Sequence, residues 1–190
     1  MAATPDTSQR ILDIAERLVQ TRGFNGFSYA DIAEAMKVTK ASLHYHFPSK
    51  AELGKRLIER YERNFLAALS GIEGDTSDAR ERLRRYVAIY AGVVRDNRMC
   101  LCGMLAAEYG TLPEAMRDDM RHFFDENERW LVSVLKEGRK AKTLAFTGTP
   151  SEVARALVGS LEGAMMIARS YGDPARFKAV SDRLLADLGA

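Results

Sequence analysis

Hydrophobic positions in the first third of the chain fall at helical spacing, in blocks separated by polar turns. Ile11, Ile14, Ala15, Leu18 and Val19 recur at i, i+3, i+4 and i+7, which predicts an amphipathic helix reaching about Thr21. Met1 to Thr7 reads as a short disordered arm, with Asp6 or Thr7 as the helix cap and Gly23 as its C-terminal glycine. Phe24 and Phe27 are expected in the core of this first domain. Ser28 and Asp31, spaced as a capping box, start a second helix at Tyr29, with Ile32, Ala33 and Met36 as its buried stripe. After the turn Lys37-Val38-Thr39, Thr39 caps a third helix from Lys40 to Phe47. That helix has only Leu43 and Phe47 to bury; the rest is Lys40, Ala41, Ser42, His44, Tyr45 and His46. A short helix with many donors and so little apolar surface has no packing reason to exist. Two helices joined by a tight turn, the second left exposed, predict a helix-turn-helix that reads a groove of DNA.

Pro48 closes the third helix, and Ser49 with Glu52 forms another capping box. The helix it opens carries Leu53, Leu57, Tyr61, Phe65 and Leu69, a stripe too long for the small head alone. Residues 1–50 are therefore assigned to the head, 51–69 to a connecting helix and 70–190 to a second domain. Ser70 to Ser77, rich in Gly, Ser and Asp, is the first clear break. Beyond it the pattern stays helical: Asp78 to Asp96, Met99 to Tyr109, Pro113 to about Ala141, Pro150 to about Tyr171, and a last helix opened by Asp173-Pro174 with Phe177, Val180, Leu184 and Leu188 as its stripe. Thr149-Pro150-Ser151-Glu152 combines an N-cap, proline at the first helical position and a capping glutamate. No strand pair and no internal repeat is visible. The expected fold is all-α, with about nine helices.

Composition narrows the class without naming it. The chain has 190 residues, 46% hydrophobic and 28% charged, as a globular domain or two would have. No apolar run approaches the roughly 20 residues that span a bilayer. The opening MAATPDTSQR lacks the apolar stretch of a signal peptide, so a cytoplasmic location is expected. A formal charge of only +2 means that any nucleic-acid contact depends on local charge. Arg10, Arg22, Lys37, Lys40, Lys50, Lys55 and Arg56 all lie in the first third, which permits it.

From about Ser8 to Tyr61 the chain resembles the DNA-binding domain of the tetracycline-repressor (TetR) family of bacterial regulators. The resemblance rests on Ile11, Ala15 and Leu18, then Gly23-Phe24, Ser28 and Ile32-Ala33. Its most specific part is Val38-Thr39-Lys40-Ala41-Ser42-Leu43-His44-Tyr45-His46-Phe47-Pro48-Ser49-Lys50. Lys37 stands where the family often has glycine, so its backbone is expected to carry mild strain. His44 stands where the family often has tyrosine, so the operator cannot be inferred from a relative. The resemblance implies base contacts from Lys40, Ala41 and His44. It implies phosphate contacts from Ser42, Tyr45, His46 and Lys50, with Ser28, Tyr29 and Thr39 beside them at helix N-termini. It also implies a homodimer built from the last two helices of each subunit, where Ala156, Gly159, Ser160, Gly163 and Ala164 permit close approach. The function it implies is a one-component transcriptional repressor released from its operator by a small apolar or amphipathic effector; an activator is the same protein with its site placed differently.

The sensor half is harder to read. Tyr86, Tyr90, Met104, Met116, Met120, Phe123 and Met165 are pocket candidates because methionine and aromatics adapt to apolar ligands, although residues at helical spacing are as readily core. Glu108 and Arg169 are candidate polar contacts. Cys100 and Cys102 support an alternative, a thiol or electrophile sensor, against the plainer view of cysteine as a small buried hydrophobe. His44-x-His46 has no third ligand near it, so no metal and no cofactor is expected. The chain has no dinucleotide fingerprint, P-loop, H-E-x-x-H or G-x-S-x-G motif, and no enzyme is expected.

Overall fold

A computed structural model describes residues 6–189. Among these are nine α-helices, one 3-10 turn and no strand. They run α1 Thr7–Arg22, α2 Tyr29–Met36, α3 Lys40–His46, α4 Lys50–Asp75, α5 Ala79–Arg95, α6 Leu101–Ala107, α7 Glu114–Lys140, α8 Pro150–Ser170 and α9 Pro174–Asp187, with the 3-10 turn Tyr109–Thr111 between α6 and α7. The arm expected over 1–7 lies outside the described residues as far as Pro5, and Thr7 already belongs to α1.

The chain forms two compact units. The first takes in the described residues up to Glu62 together with Leu101–Arg121; the second is Arg63–Cys100 with the residues from His122 onward. The division thus falls inside α4, within the segment expected to connect. The first unit also recruits α6 and the start of α7, which periodicity alone assigned to the second domain.

In the first unit Ile11, Ala15 and Val19 of α1 pack with Ile32 of α2, Leu43 of α3 and Leu53, Leu57 and Ile58 of α4, all essentially inaccessible. Each such side chain contributes roughly 2 kcal/mol by leaving water. Phe24 and Phe27 are buried edge to face, 6.0 Å apart, as expected. Gly23 ends α1 at φ 84°, where an added Cβ would also lie 2.7 Å from Glu108 Oε1. Lys37 takes the left-handed conformation, φ 57° and ψ 45°, which glycine would adopt without strain.

The predicted break at Ser70 to Ser77 starts late. α4 continues to Asp75 because Leu69 and Ile72 are buried and hold its last turns, while Gly71 and Gly74 face open space. Helix propensity is a weak prior that burial overrides. Met99 to Tyr109 is likewise shorter than expected, with α6 ending at Ala107 and the 3-10 turn following. In the second unit Leu131, Val134 and Leu135 of α7 and Leu157, Leu161 and Met165 of α8 are buried. The capping box at Thr149 and Glu152 is present in both directions. Phe177 and Leu188 of α9 are buried as expected, Leu184 is half-buried, and Val180 departs from the predicted stripe at 39% exposed.

Candidate nucleic-acid interface

The helix-turn-helix is held by hydrogen bonds that leave one face of α3 unengaged by packing. The Ser28 side chain accepts from Ala30 N, and Asp31 Oδ2 accepts from Ser28 N and Ser28 Oγ, both at 2.8 Å. Hydrogen bonding to Ser28 holds the Asp31 carboxyl below its ordinary value. Thr39 Oγ1 accepts from Ser42 N at 3.3 Å and starts α3. Leu43 is the buried residue of α3 and Phe47 seals its end. Lys40, Ala41, His44 and Tyr45 point outward, and Tyr45 is 86% exposed. An aromatic so exposed takes no part in packing the core.

His44 is exposed but not loose. Its ring lies 4.7 Å from that of Tyr29, and Nδ1 lies 3.2 Å from the Pro48 carbonyl. A carbonyl only accepts, so Nδ1 carries the hydrogen, and in the neutral ring Nε2 is left as an outward acceptor. An acceptor there suits the exocyclic amino groups of adenine or cytosine in a major groove. Tyr45 and His46 lie edge to face at 5.3 Å. A hollow of about 340 Å³ opens beside α3, lined by Phe27, Ser28, Tyr29, Ala30, Lys40, His44 and Lys50. It is wide enough to seat a group of phosphate size.

Three of the residues expected to meet DNA through their own donors are used elsewhere. Lys50 Nζ donates to the carbonyls of Phe24 and Phe27 and sits 4.2 Å from the Phe27 ring centre and 4.8 Å from that of Phe24. Burial holds its ammonium below the usual lysine range, partly offset by the carboxylates of Glu108 and Asp31. It locks the α1–α2 turn from within. Tyr29 is buried, its hydroxyl donating to Phe47 O at 2.7 Å, and burial pushes the phenol up to about 12. The Ser28 backbone N–H is taken by Asp31. Local spacing could not reveal the partners of Lys50 and Tyr29, which are set by how the helices cross, whereas the Ser28–Asp31 bond is the capping box that spacing predicts.

Glu108, expected in the effector pocket, belongs to the head instead. Its carboxylate accepts from Phe24 N at 2.6 Å and Asn25 N at 3.1 Å, and Asn25 Nδ2 donates to Thr111 Oγ1 at 2.7 Å. Met116 and Met120 are buried in the same unit, where an added Cβ on Gly54 would meet Met116 at 2.5 Å; Met104 there is half-buried. Tyr86, Tyr90, Phe123 and Met165 are buried in the second unit. Arg169 lines a surface cavity of about 290 Å³ with Asn97 and Asp173. The pocket candidates thus divide between the two units. Cys100 and Cys102 are 2% and 0% exposed, and the Cys100 thiol lies against the Glu162 carboxyl. A reactive thiol needs solvent access, and burial denies it to both.

On α8, an added Cβ at Gly159 or Gly163 would meet nothing within 4 Å, so these glycines are not required by packing inside the chain. Nearby, Met166 and Ile167 are each 52% exposed. Ile167 and Val180 line a hollow of about 480 Å³ between α8 and α9. No helix among the described residues is long and apolar enough to cross a membrane.

Residues 11–57 match the bacterial regulatory proteins of the tetR family, and residues 79–184 match the tetracyclin repressor-like C-terminal domain. The crystal structure of a TetR-family transcriptional regulator from Agrobacterium tumefaciens superposes with a TM-score of 0.93 at 35% identity, covering 96% of this chain and 97% of that one. The HTH-type transcriptional repressor DhaR of Mycobacterium sp. (strain GP1) is 25% identical over 167 residues, 87% of this chain and 83% of that protein. The nucleoid occlusion factor SlmA of Vibrio campbellii (strain ATCC BAA-1116) is 26% identical over 168 residues, 87% and 86% of the two chains.

Proposed function

The chain belongs to the tetR family of bacterial transcriptional regulators, and from that premise we propose that it is a cytoplasmic homodimeric repressor, not an enzyme, released from its operator by a small-molecule effector. The observation that carries this reading is the outward face of α3, where Lys40, Ala41, His44 and Tyr45 are exposed on a helix whose buried residue is Leu43. Lys40 donates to guanine, Ala41 meets a thymine methyl and His44 accepts from a base amino group. Ser42, Tyr45 and His46 anchor phosphates and set register. Lys50, Tyr29 and Ser28 act one step back, holding the frame in which α3 is presented.

One head spans only a few base pairs, so specific affinity requires two at fixed spacing. The α8–α9 face supports a homodimer, since Gly159 and Gly163 leave room on a surface that also exposes Met166, Ile167 and Val180. An effector releases DNA only through better affinity for a conformation whose paired heads no longer match the half-sites.

Footprinting on the DNA flanking its own gene tests the proposal. A single protected palindrome, bound by the dimer and lost in the Lys40→Ala/His44→Ala variant, is the expected result. Protection at many dispersed chromosomal sites, with none at its own promoter, would overturn local repression. A mild thiol oxidant should leave the footprint unchanged, because both thiols are buried.

A further inference from the structure

Resting on the effector-released repressor proposed above, a groove in the second unit carries an inference about where the effector sits and what charge it bears. Between α5 and α9 lies a hollow of about 610 Å³. Sites for small organic molecules have roughly 300–1,000 Å³. Val87 and Val94 of α5 and Phe177 of α9 are buried along it, while Ala88, Ala91 and Ala175 at its walls are too short to close it. Ser181 is buried there too, but its hydroxyl donates to the Lys178 carbonyl at 3.0 Å and makes no demand on a ligand. The floor therefore suits an apolar body.

The rim is cationic. Arg84, Arg95 and Lys178 line the hollow against one acid, Asp182. Lys178 is paired with Asp182 at 2.5 Å, and Arg84 with Glu81 at 3.7 Å. Arg95, exposed at the end of α5, makes no hydrogen bond or ion pair among the described residues. It also lines the adjoining cavity of about 290 Å³, where Asp173 is engaged at 3.0 Å by the Ala175 N–H and at 3.6 Å by Arg176. Arg84 precedes Arg95 on α5 by three turns, so the trough runs about 16 Å to that guanidinium. A neutral molecule would leave the guanidinium unused, and three cations to one anion repel a positive one. Its planar fork matches a carboxylate, which takes two parallel bonds from it.

We propose that the α5–α9 groove binds an amphipathic carboxylate of the acyl type, its chain laid on Val87, Val94 and Phe177 and its head group on Arg95. Another face of α9, with Arg176, Ala179 and Val180, lines the hollow of about 480 Å³ on the surface proposed for dimerisation. α9 thus separates the ligand from the partner subunit. A chain wedged beside α9 shifts the interface that spaces the two heads, and so favours the conformation that releases DNA.

The probes are decanoate, 1-decanol and decylammonium, each kept below its micelle concentration and titrated calorimetrically into the full chain. The expected result is saturable binding of decanoate, at least about fivefold tighter than 1-decanol, with decylammonium weakest. Arg95→Gln should abolish that preference without moving the unfolding midpoint, because Arg95 is exposed. Ala91→Trp, which fills the groove, should abolish decanoate binding. Equal affinity for decanoate and 1-decanol, a preference that survives Arg95→Gln, or decanoate binding unchanged in Ala91→Trp overturns the proposal. Should the tryptophan variant fail to fold, Arg95→Gln alone decides. No saturable binding of any probe leaves the groove to a macromolecular partner and overturns the proposal equally. In a gel shift, decanoate is expected to release the operator from wild type at a concentration that leaves Arg95→Gln bound. Operator binding without decanoate selectivity sinks the groove site and leaves the repressor; decanoate selectivity without operator binding does the reverse.

Discussion

The outward face of α3 and the buried Tyr86–Tyr90–Asn127 cluster use similar side chains to opposite ends. On α3 the tyrosine is 86% exposed, and its neighbours His44 and Lys40 also face water. In the cluster the tyrosines are 1% and 3% exposed, and their hydroxyls are bound to each other and to Asn127. A seven-residue helix with one buried side chain gains little from its own packing, so its polar groups are available to a partner. The cluster satisfies itself, and a satisfied buried network rigidifies the interior.

That contrast can be broken most directly at the DNA. Lys40→Ala/His44→Ala is expected to weaken operator binding by about a hundredfold, near 3 kcal/mol, with an unchanged unfolding midpoint. A large drop in thermal stability would mean that the face is structural after all. Asn127→Leu should do the opposite, destabilising the fold by about 2 kcal/mol, because it leaves the two buried phenols with only each other to bond. Denaturant unfolding would register it; a native-like midpoint would show that the cluster is not a bonded network. Lys50→Ala sharpens the boundary between the two behaviours. Its ammonium bonds carbonyls of the head, so a stability loss of about 1–2 kcal/mol is expected, with the salt slope of operator binding unchanged. A slope reduced by about one would return Lys50 to the phosphate contacts. The smallest effect is Lys37→Gly, expected to stabilise by about 1 kcal/mol by removing left-handed strain, read as a raised melting temperature with equal operator affinity.

The head was legible in the sequence because its signals are local. Capping boxes, the glycine after α1 and the 3.6-residue stripes act over at most a few turns, and the structure reproduces the starts of α2, α3, α8 and α9. The strain at Lys37 is equally local, since a tight turn at that place favours a left-handed residue and lysine adopts it there. The pocket was far less legible. Tyr86 and Met116 carry the same helical spacing, yet the first joins a polar network in one unit and the second fills space beside Gly54 in the other.

What the sequence determined by itself is therefore the all-α class, the helix-turn-helix and the identity of the outward α3 residues, since each follows from contacts within a turn or two. Tertiary structure alone decided that Lys50 and Glu108 serve the head and that the cysteines are buried. Glu108 is 84 residues from Phe24, whose N–H it accepts. Periodicity records which face of a helix is apolar, but a buried polar group takes its meaning from whatever the crossing of distant helices sets against it.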